Sequence, residues 1–138
     1  MTIRTGALIF DDYIPGGIYG DQFVYTSDAL YDALGFYDVI ACEAVVDDVT
    51  VNVSGSFILY LQHSADGKNF LYSDGSTTPP VTPELKFGAL STTSVNVGIS
   101  AYQGAAYPLL GKVRFALQFG EPKTSAHVKL FVVQRDLT

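Results

Sequence analysis

The stretch Lys112-Val113-Arg114-Phe115-Ala116-Leu117-Gln118-Phe119 decides the fold. Val113, Phe115, Leu117 and Phe119 fall at every second position, with Arg114, Ala116 and Gln118 between them. Successive side chains of a strand point to opposite faces, so this period of two marks a half-buried strand with the large apolar set facing a core. Val95, Val97 and Ile99 around Asn96 and Gly98 read the same way, with the aliphatic set inward. Val128, Leu130 and Val132 alternate with Lys129, Phe131 and Val133. Phe57, Leu59 and Leu61 alternate with Ile58, Tyr60 and Gln62, which makes both faces apolar at first. Val39 to Val46 is apolar except for Glu43, as expected of a central strand covered on both faces.

Turn chemistry separates these runs. Asp66-Gly67 sits between Gln62-His63-Ser64 and Asn69-Phe70, and an Asp-Gly pair suits a tight hairpin because both residues tolerate left-handed dihedrals. Gly120-Glu121-Pro122-Lys123-Thr124 reads as a second hairpin loop, joining the last two strands. Ser73 to Pro83 is the longest irregular stretch. Sustained helical periodicity is missing; Ser27 to Leu34, with Ser27 as N-cap and Gly35 as stop, predicts two helical turns at most. Short strands punctuated by Gly and Pro predict an all-β fold. The expectation is an antiparallel, jelly-roll-like β-sandwich of about eight strands with at most one short helix. Residues 1–20 read as an N-terminal arm able to lend a strand to a partner, and 21–138 as a single sandwich domain.

Composition sets the outer limits. The chain has 138 residues, 14 Asp and Glu against 8 Lys and Arg, and a formal net charge of −6. That length suits one domain, with a folded surface of roughly 7,000 Å² by area scaling. The acidic balance argues against nonspecific nucleic-acid binding, which needs a basic footprint. The single cysteine, Cys42, excludes an intramolecular disulfide and a cysteine-based zinc site, and its apolar surroundings mark it as an inert core residue. No stretch resembles a signal peptide or reaches the length of a membrane helix, so a cytoplasmic origin without membrane insertion is expected.

Catalytic constellations are weak. His63 and His127 are far apart in sequence, and His63-Ser64 point to opposite faces of a strand, so no nucleophilic triad is expected. His63 reads as a strand end with Ser64 and Asp66 shaping the turn; His127 reads as solvent-facing. Asp11-Asp12, Asp47-Asp48 and the Asp28/Asp32 pair lack calcium-loop spacing, and Asp47-Asp48 reads as a solvated strand end. No enzyme, metal or cofactor is therefore expected. The nine tyrosines, nine phenylalanines and low charge fraction of 16% point to contact surfaces instead. Candidate interface residues are Leu8, Ile9, Phe10, Tyr13 and Tyr19 toward the N-terminus, with Tyr102 and Tyr107 farther along.

The segment from Phe57 to Phe70 resembles a signature of small virion proteins of tailed bacteriophages: an apolar strand ending in Gln62, a Ser-x-Asp-Gly turn at Ser64 to Gly67, then Asn69 and an aromatic residue, Phe70. Leu34-Gly35-Phe36-Tyr37-Asp38-Val39 is similar to the entry of the first long strand in such proteins. The resemblance implies a non-enzymatic head-decoration or cement protein, made in a host cytoplasm and located in the virion. It would self-associate, a trimer being favoured, and dock on a major capsid protein or another virion protein. The alternative is a carbohydrate- or receptor-binding module of a fibre or tail, with Tyr102 or Tyr107 stacking on a glycan.

Overall fold

A computed structural model describes residues 2–3, 7–26, 39–51, 55–103 and 112–136. The strands in chain order are β1 (Thr2–Ile3), β2 (Ala7–Ile14), β3 (Val24–Tyr25), β4 (Val39–Thr50), β5 (Phe57–Ser64), β6 (Leu71–Tyr72), β7 (Leu85–Phe87), β8 (Asn96–Gln103), β9 (Lys112–Phe119) and β10 (Ser125–Asp136). They form two open, antiparallel five-stranded sheets. Sheet A runs β1-β10-β4-β8, with β2 also paired to β10; sheet B runs β3-β9-β5-β6, with β7 also paired to β5. The expected β-sandwich is thus present, with ten strands among the described residues where about eight were expected. The extra elements are two or three residues long, too short to carry a readable period. The helix expected over Ser27 to Leu34 lies outside the described residues, and none of the described residues is helical.

The core follows the alternation. Val113, Phe115, Leu117 and Phe119 of β9 and Phe57, Leu59 and Leu61 of β5 are buried on the inner face of sheet B. Facing them are the smaller Cys42, Ala44 and Val46 of β4 and Val128, Leu130 and Val132 of β10. Large side chains on one sheet meeting small ones on the other let the two layers interdigitate at crystal-like density. The total accessible surface is 7235 Å², in line with the area-scaling expectation. Burial pushes the Cys42 thiol up to about 12, with Glu43 adding to the shift. The folded chain should therefore resist a thiol-specific disulfide reagent at about pH 8 and react fully in denaturant; fast labelling of the native protein would contradict this burial.

Four strand-level expectations need correction. Val95, Val97 and Ile99 face solvent, not the core. Gly98 takes the inward position, because a Cβ there would lie 2.7 Å from the Phe87 ring. The ring fills the slot that an inward side chain of β8 would need. Gly120 to Thr124 is not a hairpin loop, since β9 belongs to sheet B and β10 to sheet A; it carries the chain between layers. Asp47-Asp48 does not end a strand: β4 continues to Thr50, with Asp48 at a positive φ of 50° beside a register shift opposite Ser125/His127. β4 is central in sheet A, but its outer face is not covered, as Glu43 is exposed and Ala41 and Val45 only half-buried.

The turn expectation holds. β5 and β6 pair as a hairpin through Gln62↔Tyr72 and His63↔Leu71. Asp66 organises it, accepting from the backbone N–H groups of Asn69 and Lys68 (both 2.9 Å) and from the Ser64 hydroxyl (2.8 Å). Those donors favour the ionised form and hold the Asp66 carboxyl well below the usual carboxylate range. His63 is buried, with Nε2 3.2 Å from the Tyr72 carbonyl oxygen, and desolvation lowers its pKa.

Candidate binding face

Among the described residues, no element packs over the outer face of sheet A. Register places Tyr13 of β2, His127 of β10 and Asp47 of β4 on one row across three strands. The next row carries Asp11, Lys129, Val45 and Val97. Beyond it lie Leu8, Phe131, Glu43 and Ile99. The first two rows are mostly polar, and the third is mostly apolar.

His127 organises the polar part. Its Nε2 lies 2.5 Å from Asp11 Oδ1 and its Nδ1 3.1 Å from Asp47 Oδ1. The ring is thereby fixed between strands that are 116 and 80 residues away in sequence. Each carboxylate presents two oxygens, of which His127 engages Oδ1. Tyr13 stands beside this group with its hydroxyl donating to Ser125 Oγ at 2.8 Å. That bond fixes the ring while leaving the residue 53% exposed. Among the described residues, no group of three or more His, Cys, Asp and Glu side chains is placed to hold a metal ion.

The apolar part contains a groove of about 370 Å³, lined by Ala41, Cys42, Glu43, Ile99, Phe131 and Val133. Its lining is mostly apolar, with Glu43 as the one carboxylate among these residues.

Sheet B is built differently on its outer side. Tyr60, Tyr72 and Ala116 are buried there against Phe23 and Ile58. Ala116 leaves room for the surrounding rings: Tyr60 and Tyr72 meet edge-to-face at 5.3 Å, and Phe23 lies 6.1 Å from both Tyr25 and Tyr60. The Arg114 guanidinium lies 3.8 Å from the centroids of both Tyr25 and Phe70, and its Nε donates to Gln62 Oε1 at 2.8 Å. These aromatic groups are occupied with one another and with Arg114, so they form a second small core.

The sequence-level candidates scatter over this framework. Leu8 and Tyr13 are exposed on sheet A, and Ile9 and Phe10 are partly buried against the main core. Residues 1–20 include β2, which pairs with β10 of the same chain, and a connection tied down by the Gly17 N–H donating to the Pro122 carbonyl at 2.7 Å. Tyr19 is exposed on that connection. Tyr102 occupies the β8 position opposite Ile40, and Tyr107 lies outside the described residues. The arrangement of Asp11, His127 and Asp47 was not foreseen. No local motif signals it, because only the pairing of three distant strands brings the groups together.

The sequence matches no protein-family model, and no curated protein matches it. The fold is similar to a crystal structure of the CBM22-1 and GH10 modules of the Clostridium thermocellum N-terminal endo-1,4-β-D-xylanase 10B, complexed with xylohexaose. The TM-score is 0.51 at 8% identity, over 96% of this chain and 26% of that one. This chain thus spans about a quarter of the length of the chain it resembles, and the likeness is one of fold.

That finding corrects the virion reading. The structural match is to a polypeptide with a carbohydrate-binding module, not to a bacteriophage head-decoration, cement or other virion protein. The physical reason lies in the quoted signature. Ser64, Asp66, Gly67 and Asn69 bond to one another and close the β5–β6 hairpin. They are turn chemistry available to any β-sandwich and specify no capsid partner.

Proposed function

We propose that this chain is a non-catalytic carbohydrate-binding module whose glycan lies across the polar rows of sheet A. The observation that carries the reading is the row Tyr13–His127–Asp47 with Asp11 and Lys129 beside it. A sugar ring offers apolar C–H faces and a rim of hydroxyls. An exposed, hydroxyl-anchored tyrosine suits the first, and carboxylate and ammonium groups suit the second. Three neighbouring strands span about 10 Å at the usual strand spacing, the breadth of a short oligosaccharide. All these groups sit on paired strands, so little ordering is needed on binding. The fold likeness to a chain carrying a carbohydrate-binding module supports the same reading. A binding role also suits His127, whose two nitrogens face carboxylates and not a nucleophile.

Calorimetric titration with xylo-, cello-, manno- and chito-oligosaccharides tests this. One class should bind, and Tyr13→Ala should weaken it by roughly tenfold to thirtyfold, equivalent to about 1.4–2 kcal/mol. Its melting temperature should move little, because the ring is half exposed. Failure of all four classes to bind, or binding indifferent to Tyr13→Ala, would overturn the proposal.

A further inference from the structure

We infer that the free edge of β8 is a self-association surface, at which a second copy of this chain adds its own β8 antiparallel and joins the two A sheets into one. Among the described residues β8 pairs with β4 alone, and it closes the order of sheet A. An unpaired edge displays backbone donors and acceptors that another strand can satisfy, and folded proteins blunt such edges with charges, prolines or bulges. β2, on the other flank of the sheet, is blunted in this way: it carries Asp11 and Asp12, and its pairing with β10 is broken by a register shift at Leu130/Phe131. β8 has none of these devices. Its sequence, Asn-Val-Gly-Ile-Ser-Ala-Tyr-Gln, contains no charge and no proline, and its register with β4 runs unbroken from Val39↔Gln103 to Val46↔Asn96. Val97 and Ile99 stand 55% and 69% exposed on it.

The edge is also self-complementary. A two-fold axis through Gly98 and normal to the sheet places Val97 opposite Ile99 of the copy, and Gly98 opposite Gly98. Two aliphatic pairs then meet on the outer face, and no side chain of the central residue intervenes. Charge does not oppose a copy at this edge. A neutral edge has nothing with which to select a partner's sign, whereas a chain of net charge −6 can pair with itself only where its carboxylates stay apart. Glu43 is the carboxylate opposite Ile99 on β4. It would stand three strand spacings from its copy, about 14 Å, beyond the screening length of about 8 Å at physiological salt. Such an axis leaves both outer faces on one side, so the polar rows of the two copies would face a common surface.

Sedimentation equilibrium of the full chain between about 1 and 100 µM tests the inference. The expected species at the upper end has twice the 14.9 kDa chain mass. The double variant Val97→Lys/Ile99→Lys should be monomeric with an unchanged circular dichroism spectrum, since both side chains are exposed in the single chain. Should that variant fail to fold, mixed Val97→Cys and Ile99→Cys proteins decide the matter. They should cross-link to each other in preference to themselves, against the background of the buried Cys42. A wild-type monomer throughout the range would overturn the inference and leave the edge to a strand from another kind of chain. A dimer that survives the lysine variant, or cysteine variants that do not cross-link to each other, would overturn it equally.

Discussion

Phe57→Ala is expected to lower the unfolding free energy by about 3–5 kcal/mol, the usual cost of a buried Phe truncation that leaves a cavity. Phe57 is fully buried at the start of β5, an inner strand of sheet B, between Phe87 of β7 and Phe119 of β9 in the strand register. Its ring centroid lies 5.8 Å from that of Phe87 and 6.0 Å from that of Phe119. The Phe87 ring in turn occupies the space left by the missing side chain of Gly98 in sheet A. Removing the central ring therefore loosens sheet B and its contact with β8 together. A domain of this size is stable by about 5–15 kcal/mol, so the variant should show a large fall in its urea midpoint. Phe57→Leu keeps most of the volume and should cost much less. A loss under about 1.5 kcal/mol for Phe57→Ala would mean that the row is not packed as described.

Glu84→Ala should cost about 1–3 kcal/mol through a different mechanism, the loss of a half-buried acceptor for the Leu61 N–H. β7 covers the edge of β5 at Phe57–Leu59, and β6 covers it at Gln62 and His63. Between them the Leu61 N–H donates to Glu84 Oε2 at 2.8 Å, while the Ser73 hydroxyl donates to Oε1. A carboxylate thus takes the place of a strand carbonyl in the gap. Desolvation raises its pKa above the ordinary 4.5, against the hydrogen bonds from Ser73 and Leu61. A raised carboxyl pKa means that the folded state binds the proton more tightly than the unfolded chain. Its contribution is most favourable below the unfolded value and declines as pH rises through the folded one. Glu84→Gln keeps an acceptor for Leu61 without the ionisation. Its stability relative to the wild type should therefore improve between about pH 4 and pH 7, as read from urea midpoints. A wild-type-to-Gln difference that is constant over this interval would contradict a desolvated carboxylate in the gap.

How far the sequence foretells the structure depends on the range of the interaction. Val113 to Phe119 and Val128 to Val132 declare their inward faces through alternation alone, because a long strand between two layers repeats one choice of face many times. The same pattern misleads at Val95 to Ile99. There an aliphatic set alternates with Gly98, and the inward side is decided by Phe87 from the other sheet. The Asp66-Gly67 turn is legible because its hydrogen bonds are local. The crossing of Gly120 to Thr124 between layers is not, since a loop's residues do not record which sheet receives the next strand. Glu84 carries no local signal, and its partner is a backbone N–H 23 residues away. The candidate site is hidden for the same reason. Tyr13 stands out as an aromatic in an N-terminal segment, but Asp11, His127 and Asp47 become a group only once β2, β10 and β4 are side by side.

The most direct test of carbohydrate binding on sheet A is chemical-shift mapping of the ¹⁵N-labelled chain during titration with the best-binding oligosaccharide. The account predicts saturable shifts centred on Asp11, Tyr13, Asp47, His127 and Lys129, with the Tyr25–Arg114–Phe70 stack on sheet B unmoved. Shifts centred on that stack, or no saturable shifts at millimolar oligosaccharide, would contradict it.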